Sequence, residues 1–92
     1  MENIPKTTIL SQSYSNPFNH STVIKYSLAQ AIDIKLQIIN SIGELVKEEV
    51  MSKQNPDIYS SSFNGENLKS GVYYYRLLTN NKSITKRMIL VK

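Results

Sequence analysis

Ninety-two residues, 40% of them hydrophobic and 20% charged, make one small domain with a modest core. The absence of cysteine excludes a disulfide framework and a thiolate metal site, and a lone histidine, His20, excludes multi-histidine centres. The net charge of +4 is uneven: Lys69, Arg76, Lys82, Lys86, Arg87 and Lys92 follow Glu66 with no acidic residue among them, whereas the earlier part has five basic and seven acidic residues.

Met1-Glu2-Asn3-Ile4-Pro5 lacks the apolar region of a signal peptide, and no apolar run approaches the roughly 20 residues that span a bilayer. The chain is therefore expected to be either cytosolic as it stands or a portion of a longer exported protein. Residues 1–8 read as a linker, with proline, lysine and two threonines in no settled period, and residues 9–92 as the domain. Ile9 to Gln12 suits a short first strand. Ser13 to Ser21 is dense in turn formers; Pro17 fixes its own φ and pushes Asn16 into the extended region. Phe18, an aromatic inside this polar loop, is expected to plug the end of the core.

Thr22 to Leu28 alternates, with Ile24, Tyr26 and Leu28 on one face, and Ile34, Leu36 and Ile38 repeat the pattern. Both read as half-buried strands of an antiparallel sheet. Asn40 to Gly43 fits a hairpin turn with Gly43 as the left-handed residue. Gly43 to Lys53 supports two readings. Ile42, Leu45, Val46, Glu49 and Val50 have helical spacing, and Ser41 with Glu44 matches a capping box. Gly43 would then stand in the first turn of an isolated helix, so an edge strand guarded by Lys47, Glu48 and Glu49 is the preferred expectation.

Ser52 to Asp57 is a loop containing Pro56. Ile58 to Phe63 is a short strand whose serines suit an edge, and Asn64 to Asn67 is a turn. Val72 to Leu78 is aromatic and β-branched, Thr79 to Ser83 has turn chemistry, and Ile84 to Val91 is apolar again. About seven short strands separated by turns indicate an all-β fold, a small Ig-like antiparallel β-sandwich.

Tyr73, Tyr75 and Leu77 are expected to face inward, with Tyr73 in the role of a tyrosine corner. Tyr74 and Arg76 then face outward, with Lys86 or Arg87 on the neighbouring strand. The basic C-terminal third is either a solvated face or a strand pair that docks on an acidic partner or an anionic surface. Nucleic acid is disfavoured, because inward tyrosines cannot stack on bases. Gly71 suits entry to a strand through an unusual φ. Lys92, a terminal side chain with little to gain from packing, is a candidate recognition residue, and a chain that ends on its last strand is expected to present that end rather than a pocket. Asp33, Glu44, Glu48, Glu49 and Asp57 are scattered with no histidine base beside them, so no enzyme and no cofactor is expected. Asn19-His20-Ser21 and Asn81-Lys82-Ser83 are formal glycosylation sequons of the kind that short polar loops produce by chance.

Several segments taken together carry a resemblance. They are Leu10-Ser-Gln-Ser-Tyr14-Ser-Asn16-Pro17-Phe18-Asn19, Ile24-Lys-Tyr26-Ser-Leu28, Leu36-Gln-Ile38, Gly43-Glu-Leu-Val46, Phe63-Asn-Gly65, Ser70-Gly71-Val72-Tyr73-Tyr74-Tyr75-Arg76-Leu77 and Lys86-Arg87-Met88-Ile-Leu90-Val-Lys92. In this order and spacing, over Leu10 to Lys92, the chain resembles the type A C-terminal sorting domain of the type IX (Por) secretion system of Bacteroidetes. That family is related in pattern to the Ig-like domain of flagellar hook-capping proteins. The chain departs from it at Ser15 and His20, where prolines are usual, at Asp57, where glycine is usual, and at Ser61, where an aliphatic residue is usual.

The resemblance implies a non-catalytic label covalently linked to an upstream cargo protein. The label passes through the periplasm and is read by an outer-membrane translocon and a cell-surface sortase. The cargo then stays at the outer membrane and cell surface or is secreted. Cleavage is expected at or before residues 1–8. The recognition candidates are Asn16, Pro17, Phe18, Gly71, Tyr73, Tyr74, Arg76, Lys86, Arg87 and Lys92. The alternative is a structural Ig-like accessory or adhesin-type domain that binds its parent protein or a surface partner.

Overall fold

The computed structural model describes residues 7–92, so most of the expected linker, residues 1–6, lies outside the described residues. Seven strands follow one another: β1 (Ile9–Leu10), β2 (Ser21–Leu28), β3 (Ile32–Asn40), β4 (Leu45–Gln54), β5 (Asp57–Asn64), β6 (Gly71–Leu78) and β7 (Ser83–Leu90). They form a three-stranded sheet, β1-β2-β5, and a four-stranded sheet, β4-β3-β6-β7. Every strand pairing in the two sheets is antiparallel.

The period of two in the sequence becomes the core. Ile24, Tyr26 and Leu28 from β2 meet Ile34, Leu36 and Ile38 from β3 and Tyr73, Tyr75 and Leu77 from β6, all buried. Met88 and Leu90 of β7 close one side, and Leu10, Phe18 and Phe63 complete the cluster. This is the expected β-sandwich.

The contested segment after Gly43 is strand, and the local chemistry shows why. The Asn40 side-chain oxygen accepts from the amides of Ile42 (3.1 Å) and Glu44 (2.8 Å), and its amide group donates to the Glu44 carboxylate at 2.8 Å. Gly43 sits at φ +89°, a left-handed position that ends any helical turn there. Glu44 thus completes an Asn-centred turn instead of a capping box, and β4 follows as an edge strand paired with β3. β5 is likewise an edge, of the smaller sheet. Its Ser61 hydroxyl donates to the Glu49 carboxylate of β4 at 2.6 Å, so a serine where an apolar side chain was awaited serves as a polar tie between the sheets.

The strand directions define two poles. At one, Thr8 accepts from the Ala29 amide (3.3 Å) and from Lys82 Nζ (3.5 Å), beside the β6–β7 turn. At the other, Leu90 pairs with Gly71, Ser21 pairs with Asn64, and the Lys92 amide donates to Ser70 Oγ at 3.0 Å. The molecule is 42 Å along its longest axis.

Candidate functional site

β7 is the outermost strand of the larger sheet, so one row of its backbone groups has no strand to pair with. An edge of this kind invites association with other chains unless it is covered. Here residues 12–19 cover it. Gln12 Nε2 donates to the Arg87 carbonyl at 2.8 Å, and Asn16 Nδ2 reaches the same oxygen at 3.3 Å. The Ile89 amide donates to Asn16 Oδ1 at 3.0 Å. The Phe18 amide donates to the Ile89 carbonyl (2.9 Å), and the Val91 amide donates to the Phe18 carbonyl (2.8 Å), a short parallel bridge. Asn19 Nδ2 ends the series on the Val91 carbonyl at 3.1 Å. Asn16 therefore acts as a strand surrogate, a side-chain amide imitating a peptide group with one donor and one acceptor.

Phe18 anchors this cover. Its side chain is 1% exposed and stands edge-on to Phe63, with ring centroids 6.1 Å apart. Gly65 forms the floor: a Cβ there would lie 3.1 Å from the Phe18 ring and 3.1 Å from a Leu90 methyl. The Tyr75 hydroxyl fixes the beginning of the segment, donating to the Ser11 carbonyl at 2.7 Å and accepting from the Ser13 amide at 2.7 Å. Burial pushes the Tyr75 phenol above its ordinary pKa, with the hydrogen bond from Ser13 acting in the opposite sense. Burial, assisted by Glu49 and then Tyr59, pushes the Tyr26 phenol up to about 12.

Eight of the ten residues singled out from sequence fall into three places. Asn16, Pro17 and Phe18 lie along the β7 edge, with Phe18 the plug that was expected. Tyr73 donates from its hydroxyl to the Lys69 carbonyl at 2.7 Å, the tyrosine-corner bond, and Gly71 opens β6 at φ +155° beside an open concavity of about 520 Å³. Tyr74, Arg76 and Arg87 share the outer face of the larger sheet, since Tyr74 pairs with Arg87. Lys86 does not join them. It pairs with inward-facing Tyr75, and its side chain stands on the other side of β7. Lys92 is held as well: its ammonium donates to the Glu66 carbonyl, while the Glu66 carboxylate meets His20 at 2.5 Å.

The recognition candidates read from sequence left out Gln12, Asn19, Gly65 and Glu66. The amide-bearing side chains around Pro17 were a signal of a kind, but turn chemistry explained them equally well. Among the described residues no group of three His, Cys, Asp or Glu side chains is placed to hold a metal ion, and no helix is long and apolar enough to cross a membrane.

These features define a class: a small antiparallel β-sandwich whose final strand is sealed by the segment that precedes β2. The family described as the secretion system C-terminal sorting domain matches residues 12–92, and the chain belongs to that family. Membership indicates a C-terminal sorting signal for type IX secretion, linked to a cargo protein, interacting with the secretion system and leading to the cell surface or to release. The family is one of sorting signals and not of enzymes. No curated protein and no solved structure matches the chain.

Proposed function

We propose that the outer-membrane translocon and a cell-surface sortase read this domain in its folded form, as a non-catalytic label carried through the periplasm by its cargo. The observation that carries the reading is the sealed edge of β7. Arg87, Ile89 and Val91 have their outward backbone groups bonded to residues 12–19, so the terminal ribbon is presented at one fixed geometry. The two-pole layout supports it further. Residues 1–8 serve as the linker to cargo, and its last residues, Thr7 and Thr8, lie at the pole opposite Lys92, so a machine that grips the β7 end does not collide with its load. Cleavage falls at or before this linker, away from the gripped end. Membership of a family of sorting signals supports a role without catalysis.

Fusion of Met1–Lys92 behind an exported fluorescent protein in a type IX-competent host tests this. Fluorescence is expected outside the cell or on its surface, with the label removed. Retention in the periplasm equal to that of an untagged control would contradict the proposal, and a label that stays attached to the surface protein would favour an accessory domain instead.

A further inference from the structure

The outer face of the four-stranded sheet is half apolar. Its strand registers set Leu45, Ile39, Tyr74 and Arg87 in one row across β4, β3, β6 and β7, and Glu48, Gln37, Arg76 and Thr85 in the next. Leu45 is 55% exposed, and Ile39 and Tyr74 are half-buried. The one carboxylate in these rows, Glu48, is engaged by Gln37 Nε2 at 2.7 Å. Arg76 reaches only the Thr85 hydroxyl, at 3.4 Å. Among the described residues the single ion pair is His20 with Glu66, at the pole, so Arg76 and Arg87 have no carboxylate partner. Being diagonal neighbours on an antiparallel pair, their Cα atoms stand roughly 7–8 Å apart with Tyr74 beside both.

Two guanidiniums without a carboxylate partner among the described residues, Arg87 in the apolar row and Arg76 in the polar row beside it, are arranged for bidentate bonding to carboxylates. We propose that this face docks a flat, acidic protein surface of the secretion apparatus, whose apolar centre covers Ile39, Tyr74 and Leu45 and whose carboxylates meet Arg76 and Arg87. This rests on the reading that the domain is recognised in folded form. Four strands about 4.8 Å apart, each covering about eight residues of the face at about 3.3 Å, give a face of roughly 500 Å². Covered from both sides, that is roughly 1,000 Å², in the class of transient encounters and short of a standard stable interface. A label that is read and then released needs a contact of that class. A lipid surface fits less well, because Ile39 and Tyr74 are half-buried in the sheet and Glu48 lies level with Arg76.

The test uses Arg76→Glu with Arg87→Glu in the full fusion, and Lys25→Glu with Lys47→Glu as a control of equal charge change away from the face. Thermal unfolding of both is expected within about 3 °C of the parent, since Arg87, Lys25 and Lys47 are exposed and half-buried Arg76 stands on the outer face of the sheet. The face double variant is expected to lose at least tenfold in export, and the control less than twofold. Unchanged export of the folded face variant overturns the inference and leaves the sorting role standing; failure of the unmodified fusion to leave the periplasm overturns both. Co-sedimentation with phosphatidylglycerol vesicles that is strong for the parent and abolished in the face variant would assign the face to lipid and overturn the protein partner.

Discussion

Replacing Phe18 by alanine tests most severely how the last strand is held. The side chain is almost wholly buried, fills a socket formed by Phe63, Gly65 and Leu90, and cannot be replaced by collapse of Gly65, which has no side chain to move. A Phe→Ala change in such a site costs about 4 kcal/mol from lost transfer energy plus the residual cavity. A domain of this size has on the order of 5–14 kcal/mol in all, so the loss is a large share of its stability. At about 4–8 °C per kcal/mol, the unfolding midpoint is expected to drop by roughly 15–30 °C in thermal circular dichroism. The damage is also expected to be directional. Ile89 and Val91, whose amides donate to Asn16 and to the Phe18 carbonyl, should exchange their hydrogens faster than amides of the β3–β6 pair. A midpoint within about 3 °C of the parent, or uniform exchange along β6 and β7, would refute the anchoring role of Phe18.

Asn16→Ala removes both the acceptor for the Ile89 amide and a donor to the Arg87 carbonyl; because the site is exposed, a loss of about 1 kcal/mol in urea unfolding is expected, with the Ile89 amide alone strongly deprotected. Tyr75→Phe leaves the Ser13 amide without its buried acceptor and should cost about 1–3 kcal/mol, read by the same urea titration. Gly43→Ala forces a side chain into a backbone at φ +89° and should cost about 1–2 kcal/mol without changing the fold by circular dichroism. In alkaline solution the raised phenols set the sign: Tyr26 titrates near 10 when unfolded and at about 12 when folded, so its contribution is intact below pH 10 and is lost as pH rises towards 12. Urea midpoints should therefore fall between pH 10 and 12, and fall less steeply in Tyr26→Phe.

Most of the fold was legible because the alternation of Ile24, Tyr26 and Leu28, of Ile34, Leu36 and Ile38, and of Tyr73, Tyr75 and Leu77 is a local property that maps directly onto one face of a strand. The residues after Gly43 were harder, since Leu45, Val46 and Val50 have helical spacing and a register shift at the start of β4 breaks the strand alternation there. The side chain that decided the matter, Asn40, lay just before the segment. The cover over β7 was not legible beyond Phe18. Its bonds join residues 71–75 positions apart in sequence, and no local period encodes them. Lys92 was singled out as a terminal side chain with little to gain from packing and Lys86 as a neighbour of the outward tyrosine; register, which places Lys86 on the inward side of β7, and the Glu66 carbonyl, which holds the Lys92 ammonium, are long-range features that no local pattern encodes.

Whether the sorting information lies in a folded surface or in a linear stretch can be measured by exporting the fluorescent fusion at a temperature between the unfolding midpoints of the parent and of Phe18→Ala. Export of the parent with loss of the variant is the result expected if the sealed sandwich is the signal. Equal export of both, with the variant shown to be unfolded, would contradict it.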